Sequence, residues 1–415
     1  MPAEGELCMF LYDYLIEYNR YMNIVGIAVI IAIATAFSKK RSRIKWRLIG
    51  SALLMQLVLG FLVLKTTTGQ AIVGTISDGI AKIYLFAGKG ACFVFGNLCN
   101  ADSSWGAIFA IKVLPIIIFF GAVTALLAHW RVIHYAVKGL SYVIRPILGT
   151  SGAETLCAIA NSFLGQTEAP LLIRNYLKDL TRSELMVVMV GGMAHISGSI
   201  LIVFASMGVS ANHLLAASVM SIPGAIMIAK LLLPETEKST TEHGNVAIQV
   251  EENGNAFGAI AKGTSDGLNL AVNVAAMLIS FIAFLAMINY LLAYVNPELT
   301  LEAIFAKIFM PFGYLLGFTG QEAAAASQLV GIKVAVNEFI AYQKMVTMNL
   351  SPRVMTLVTY ALCGFSNFSC IGIQIGGIGA LVPEKRPWIT ELGLYAVLGG
   401  TLANLLSAMI AGLLL

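Results

Sequence analysis

Long apolar runs recur along this chain, and each is about the length needed to cross a lipid bilayer. Of the 415 residues, 58% are hydrophobic and only 12% are charged. A soluble chain of ordinary composition carries roughly twice that share of charge. In a bilayer every backbone N–H and C=O group must find its partner within the protein, so such runs form helices. The sequence therefore predicts an all-α polytopic membrane protein.

Eight of the runs are predicted to be complete transmembrane helices, and two further apolar segments are interrupted near their middle. The interrupted segments, 151–180 and 301–346, contain Gly165 and the stretch 317–320 at their breaks. Each is better explained as a re-entrant helical hairpin than as one straight span. Two shorter stretches, 69–100 and 130–145, mix apolar with basic residues and are expected to lie along the membrane surface. The complete crossings are expected at 22–38, 48–65, 106–127, 185–207, 213–233, 268–295, 354–381 and 389–415.

Basic residues are concentrated in particular loops, which predicts the orientation. The stretch 39–47 holds the densest cluster, and 383–386 carries the same signal near the end of the sequence. Loops rich in Lys and Arg stay in the cytoplasm, so the N-terminus is expected outside. The acidic residues before the first run have the wrong charge for a cleavable signal peptide. The net charge of +4 is small, and nucleic acid is not an implied partner.

The two interrupted segments share features in the same order. Residues 165–169 read GQTEA and residues 320–323 read GQEA, and each is followed by a span with polar residues at its centre. With the orientation above, the first hairpin enters from the cytoplasm and the second from outside, so the halves form an inverted repeat. This is the architecture of secondary transporters, whose sites lie where hairpin tips and interrupted helices meet. Broken helices expose N–H and C=O groups that can replace water around a solute or an ion.

Five polar residues near the breaks are candidates for function. A carboxylate at membrane depth costs at least ~2.5 kcal/mol without a partner or a watery cavity, which favours functional roles for Glu168 and Glu338. Asn161 and Asn367 lie beside the breaks, where ligand binding competes with simple hydrogen bonding between helices. His195 is either a satisfied buried histidine or a group for proton or cation chemistry.

Motifs of other functional classes are missing from the sequence. No Walker-type loop, GxGxxG, HExxH or GxSxG is present, so an ion gradient is the remaining energy source. The six cysteines show no metal-ligand spacing, and four of them lie in or beside apolar segments, where thiols serve as small core residues, so no disulfide or metal role is expected. Two other classes stay open at this point: a membrane-embedded hydrolase using Glu168 and His195 as acid and base, and a passive pore.

Four motifs, in this order and spacing, closely resemble the concentrative nucleoside transporter family, and in particular its eight-span bacterial members. They are GQTEAP at 165–170, PETEK at 234–238, NEFIAY at 337–342 and CGFSN at 363–367. The resemblance covers nearly the whole chain. It implies a homotrimeric symporter of the inner membrane that imports nucleosides such as uridine with Na⁺ or H⁺ and uses no other cofactor. It also implies an elevator mechanism, in which a transport domain moves against a fixed scaffold.

The same resemblance implies a substrate site with a ribose end and a nucleobase end. Glu338 and Asn367 would hold the ribose hydroxyls, and hydrogen bonds to a charged group are worth roughly 1.5–3 kcal/mol each. Cys370 stands where the family usually offers a serine, and a thiol is a weaker hydrogen-bond partner than a hydroxyl. The nucleobase end would consist of Gln166, Thr167 and Glu168, with apolar contacts from Ile200, Leu278 and Phe365.

The resemblance further implies a sodium site at the first hairpin. Its ligands would be the Asn161 side chain and the carbonyls of Leu164 and Ile196. His195 stands where the family has Ser or Thr, and imidazole is a poor ligand for a hard cation. Either a proton replaces sodium, or the His195 carbonyl serves while the ring points elsewhere.

The expected domain organisation alternates scaffold and transport segments. Residues 1–150 would be scaffold, 151–235 the first half of the transport domain and 236–266 a cytoplasmic linker. Residues 267–297 would add a scaffold span, and 298–415 the second half of the transport domain.

Overall fold

The computed structural model describes residues 12–99, 108–242 and 254–415. Within these ranges the regular structure is helical and contains no β-strand. The predicted linker at 236–266 lies partly outside the described residues, and its end is wrong, because residues 256–266 form the start of a long helix. The elements before the first hairpin are α1 (Arg20–Ala36), α2 (Trp46–Lys65), α3 (Thr67–Phe95), α4 (Phe109–His129) and α5 (Val132–Leu148).

The first interrupted segment forms the predicted hairpin. Its first arm is α6 (Gly152–Ala160), and its second arm is a 3₁₀ helix, Ala169–Asp179. At the start of α6 the Ser151 N–H donates to Glu154 Oε1 at 2.8 Å, which satisfies one backbone donor that the helix leaves unpaired. A broken helix follows, made of α7 (Arg182–Ala194) and α8 (Gly198–Ser206), and then α9 (Ala211–Leu232).

The second half of the chain contains the same kinds of element in the same order. A long helix, α10 (Ala256–Ala293), corresponds to α4, and α11 (Leu301–Leu315) corresponds to α5. The second hairpin consists of α12 (Gly320–Ala335) and α13 (Glu338–Thr347). The second broken helix consists of α14 (Pro352–Leu362) and α15 (Phe368–Leu381), and the last helix is α16 (Arg386–Leu414).

The second hairpin begins later than the sequence predicted. The break at 317–320 separates α11 from α12, whose axes differ by 118°. Gly317 makes this turn with a φ of +88°, a left-handed conformation that suits glycine. The tip of the hairpin is instead formed by Val336 and Asn337. The predicted pairing of 165–169 with 320–323 is therefore wrong, because the first lies at a hairpin tip and the second in the first turn of a helix.

Among the described residues, six of the eight predicted crossings coincide with segments that are long and apolar enough to cross a membrane, whereas those at 106–127 and 354–381 do not pass this test as single helices. In the described part of the chain, 7 helices are long and apolar enough to cross a membrane, or up to 9 if each bent pair is one span. The expected crossing at 354–381 is divided into α14 and α15. α3 also passes the length test, so its predicted place on the membrane surface stays a prediction. α5 leaves the direction of α4 by 67°, as a helix lying along the surface would.

Burial separates a central group of helices from a peripheral one. In α7–α8 and in α9, 89% of the most apolar window is buried, whereas the figure is 6% in α10. α10 packs on α4 with backbone against backbone, since a Cβ on Gly263 would lie 2.4 Å from the Gly121 carbonyl oxygen. Small residues permit such close approach between membrane helices. The first broken helix and α9 thus lie inside the protein.

One expectation about the cysteines is corrected. Cys92 and Cys99 form a disulfide at the end of α3. Gly96, with a φ of +57°, turns the chain between them and brings the two side chains together. Cys157, Cys363 and Cys370 are buried free thiols, as expected. Cys8 lies outside the described residues.

Candidate functional site

The tip of the first hairpin lies against the break between α7 and α8. The Gly198 N–H, at the start of α8, donates to the Phe163 carbonyl at 3.2 Å. Asn161 Nδ2 donates to the Cys157 carbonyl at 3.0 Å. Asn161 Oδ1 is buried and has no hydrogen-bond partner among the described residues. A buried amide oxygen without a partner is costly, so this atom fits a ligand of a cation that prefers oxygen.

His195 follows the last residue of α7 and is fully buried beside the same tip. Its backbone is extended, with φ −118° and ψ 163°. Its ring Nδ1 lies 2.8 Å from the Gly191 carbonyl, one turn back in α7. This nitrogen therefore engages its own helix. Ile196, the next residue, is buried in the break, and Leu164 is half-buried at the hairpin tip.

A line of polar side chains joins the first hairpin tip to the second. Gln374 Nε2, from α15, donates to Gln166 Oε1 at 3.1 Å. Gln166 Nε2 donates to Cys370 Sγ at 3.3 Å. The Cys370 N–H donates to Asn367 Oδ1 at 3.0 Å, and Asn367 Nδ2 donates to Glu338 Oε2 at 2.8 Å. Residues far apart in the sequence thus form one connected site.

Two asparagine caps fix the second end of this line. Asn337 Oδ1 accepts from the Ile340 N–H at 2.9 Å and starts α13. Asn367 Oδ1 caps α15 in the same way. Asparagine is favoured at this position because its side chain satisfies N–H groups that the first helical turn leaves unpaired. Glu338 is the first residue of α13 and only 5% exposed, and a helix N-terminus favours a carboxylate.

The remaining predicted site residues differ in their surroundings. Thr167 packs against α15, since a Cβ on Gly377 would lie 2.5 Å from Thr167 Cγ2. Glu168 is exposed at the tip, where its Oε2 accepts from the Gly165 N–H at 3.2 Å. Ile200 is buried in α8, and Phe365 is half-buried in the second break. Leu278 is half-buried on α10, a helix that belongs to neither hairpin and to neither broken helix.

Lys333, Gln374 and Asn404 are among the buried polar residues that were not predicted from the sequence. Each is fully buried. Asn404 Nδ2 donates to the Ala194 carbonyl at 2.7 Å and to the Cys363 carbonyl at 2.8 Å. It therefore binds the ends of both broken helices. A polar side chain inside a predicted membrane span could have identified Gln374 and Asn404, and a lysine inside the predicted second hairpin could have identified Lys333.

Two repeated halves, two hairpins and two broken helices that meet at a buried polar site define a secondary active transporter. Comparison with family models specifies the kind. Residues 213–412 match the model described as Na⁺ dependent nucleoside transporter C-terminus, residues 25–98 match its N-terminal counterpart, and residues 110–211 match a model described as nucleoside recognition. The chain belongs to the concentrative nucleoside transporter family.

Individual relatives agree with this assignment. An uncharacterized transporter of Haemophilus influenzae is 42% identical over 409 residues, covering 94% of this chain and 97% of the relative. The nucleoside permease NupC of Helicobacter pylori is 40% identical over 412 residues, covering 95% and 98%. The solved structure of CNTnw in an inward-facing substrate-bound state is 38% identical, with a TM-score of 0.90 and coverage of 95% and 98%.

The family decides between the functions that the sequence left open. The protein is a nucleoside:cation symporter and not an enzyme, so the predicted function is confirmed and the hydrolase is excluded. A passive pore is excluded by the same membership. The predicted all-helical fold with an inverted repeat is confirmed as well.

Proposed function

We propose that this protein imports nucleosides such as uridine across a bacterial inner membrane, coupled to sodium entry. The observation that supports this most is the first hairpin tip, which carries both the unpaired Asn161 oxygen and the start of the polar line at Gln166. One positive charge entering down a potential of 100 mV contributes ~2.3 kcal/mol. That free energy supports accumulation of roughly fifty-fold.

The polar line divides into the two ends expected of a nucleoside site. Glu338 and Asn367 bind the ribose hydroxyls, because a buried carboxylate paired with an amide can accept and donate at adjacent hydroxyls. Cys370 lies between the two ends. Gln166 and Thr167 face the nucleobase together with Glu168, and Ile200, Phe365 and Leu278 provide its apolar contacts.

Sodium is favoured over protons by the position of the His195 ring. Because Nδ1 lies against the Gly191 carbonyl, the ring does not need to enter the ion site, and the His195 carbonyl replaces the missing hydroxyl ligand. The other ligands are Asn161 Oδ1 and the carbonyls of Leu164 and Ile196. Ion and substrate couple because an ion that orders the tip prepares it for the nucleoside.

The disulfide supports the proposed orientation with the N-terminus outside. Loops rich in Lys and Arg favour the cytoplasm, so with the basic stretch 39–47 inside, α2 starts inside and ends outside. α4 ends near Arg131, in a basic loop that is also cytoplasmic, so α4 starts outside. α3 therefore begins and ends outside, and its Cys92–Cys99 disulfide lies in an oxidising compartment where such bonds persist.

The contacts of α1 and α2 favour a revised division of the domains. Gln56 in α2 donates to Ser407 Oγ in α16 at 2.9 Å, in a fully buried position. A Cβ on Gly26 in α1 would lie 2.4 Å from Met409 Sδ. Such contacts hold α1 and α2 to α16, so we assign them to the moving domain and keep α4 and α10 in the scaffold. The largely exposed α10 then supplies the interface of a homotrimer.

The test is radiolabelled uridine uptake into proteoliposomes with an imposed sodium gradient, a proton gradient or neither. Sodium-driven, saturable accumulation is expected. Asn161→Leu should abolish its dependence on sodium, whereas Asn296→Leu, at an exposed loop position, should leave it unchanged. Accumulation driven by protons alone would make His195 or Glu168 the coupling group, and the absence of saturable uptake would refute uridine symport.

A further inference from the structure

Lys333 is a fully buried lysine in the last turn of α12. Its Nζ donates to the Ala361 carbonyl at 2.9 Å and to Asn404 Oδ1 at 2.6 Å. Ala361 precedes the last residue of α14. The carbonyl groups at the end of a helix carry partial negative charge, so the ammonium lies where a cation is stabilised.

The first half of the repeat has an alanine at the corresponding position. Lys333 lies two residues before the end of α12, and Ala158 lies two residues before the end of α6. Ala158 faces the last turn of α7, since a Cβ on Gly191 would lie 3.5 Å from its Cα. Asn161, with its unpaired buried oxygen, follows in the same hairpin. The first half therefore has no cationic side chain at the position where the second half has Lys333.

We propose that Lys333 is a resident cation. In the second half of the repeat, its ammonium group takes the place that the coupling ion takes in the first half. This inference rests on the proposed ion site at Asn161. The second hairpin then needs no ion from solution, so one cation accompanies each nucleoside. Lys333 is a positioning residue: it does not touch the nucleoside, but it keeps Glu338 ionised to accept the ribose hydroxyls.

The groups around Lys333 determine what its removal would do. Glu338, on α13, is the charged group that interacts with it electrostatically, and the facing titratable groups are the thiols of Cys363 and Cys370. Ala361 and Asn404 contribute neutral oxygens. With a neutral residue at 333, Glu338 would be a buried carboxylate without an opposite charge nearby, which is strongly unfavourable. It would then have to bind a proton or a second cation.

The experiment compares the wild type with Lys333→Met in proteoliposomes, measuring uridine uptake against sodium concentration and against pH. Uptake by the wild type should depend on sodium concentration with a Hill coefficient of about 1. Lys333→Met should show either a Hill coefficient of about 2 or uptake that rises on acidification, by up to about tenfold per pH unit. Lys344→Met, the same change at a half-exposed position in α13, should behave as wild type, and Lys333→Arg should retain the wild-type profile.

A Lys333→Met protein with the wild-type Hill coefficient and pH profile, at any absolute rate, would overturn the proposal. The reversal potential of the wild type gives a second test that needs no folded variant. One charge per uridine is expected, and two would overturn the inference. Failure of the sodium proposal can be told apart from failure of this inference. If sodium is not the coupling ion, uptake by the wild type is driven by protons alone, and the number of protons that enter with each uridine can still be measured.

Discussion

Replacing Glu338 by glutamine should sharply weaken nucleoside binding. The substitution keeps the shape of the side chain and an oxygen for the 2.8 Å hydrogen bond from Asn367, but it removes the negative charge. A hydrogen bond to a charged group contributes roughly 1.5–3 kcal/mol, against about 0.5–1.5 kcal/mol for a neutral pair. With two ribose hydroxyls the loss is about 2–3 kcal/mol, or roughly 30- to 150-fold in Kd.

The assay is isothermal titration of uridine into purified protein at saturating sodium. Glu322→Gln is the matched control, because Glu322 lies exposed in the first turn of α12 and should leave the Kd unchanged. A thermodynamic cycle with 3′-deoxyuridine tests whether Glu338 contacts the 3′-hydroxyl. The wild type should bind the analogue more weakly than uridine, whereas Glu338→Gln should bind the two with nearly equal affinity. Unchanged affinity in Glu338→Gln, or fully additive losses in the cycle, would refute the ribose assignment.

Three other substitutions test separate parts of the structure. Lys230 Nζ lies 2.7 Å from Glu154 Oε2, with side-chain exposures of 7% and 2%, so Lys230→Met should destabilise the protein by roughly 3–5 kcal/mol in thermal unfolding. Adding Glu154→Gln should restore part of this, and an unshifted midpoint would contradict the role of the pair. Cys370→Ser should tighten uridine binding by about 0.5–1.5 kcal/mol, since a hydroxyl is the stronger partner, and weaker binding would argue against contact with the site. Gly191→Ala would place a Cβ 3.1 Å from Asn161 Nδ2, so the sodium concentration for half-maximal uptake should rise while uridine affinity at saturating sodium is kept. Equal loss of both would indicate general damage.

The parts of the fold that were predictable from the sequence have strong local signals. Runs of apolar residues located the crossings, and Gly165 marked the first hairpin because a glycine inside an apolar helix is unfavourable without a reason. Both broken helices were indicated by polar residues in the middle of spans. The second tip was missed because Val336 and Asn337 form a turn without glycine, whereas the stretch 317–320 contains two glycines and marks a sharper but different bend.

The connections within the site depended on tertiary structure. Lys333 and Asn404 are 71 residues apart, and their hydrogen bond follows from the packing of α12 on α14 and α16, which no local pattern encodes. The disulfide between Cys92 and Cys99 depends on a turn at Gly96 that spacing rules do not describe. In contrast, Asn367 could be placed beside the second break because a helix cap is a local feature.

Asn404 also has a consequence for how the protein unfolds. Its amide binds the last carbonyl of α7 and the carbonyl at the end of α14, while its oxygen accepts from Lys333. Separating either broken helix from α16 would leave several buried polar groups without partners at once, in both halves of the chain. The free energy of opening one half alone is therefore high. In hydrogen exchange, the amides of α7, α14 and α16 should behave as one cooperative unit, even though the chain is built from two copies of one pattern.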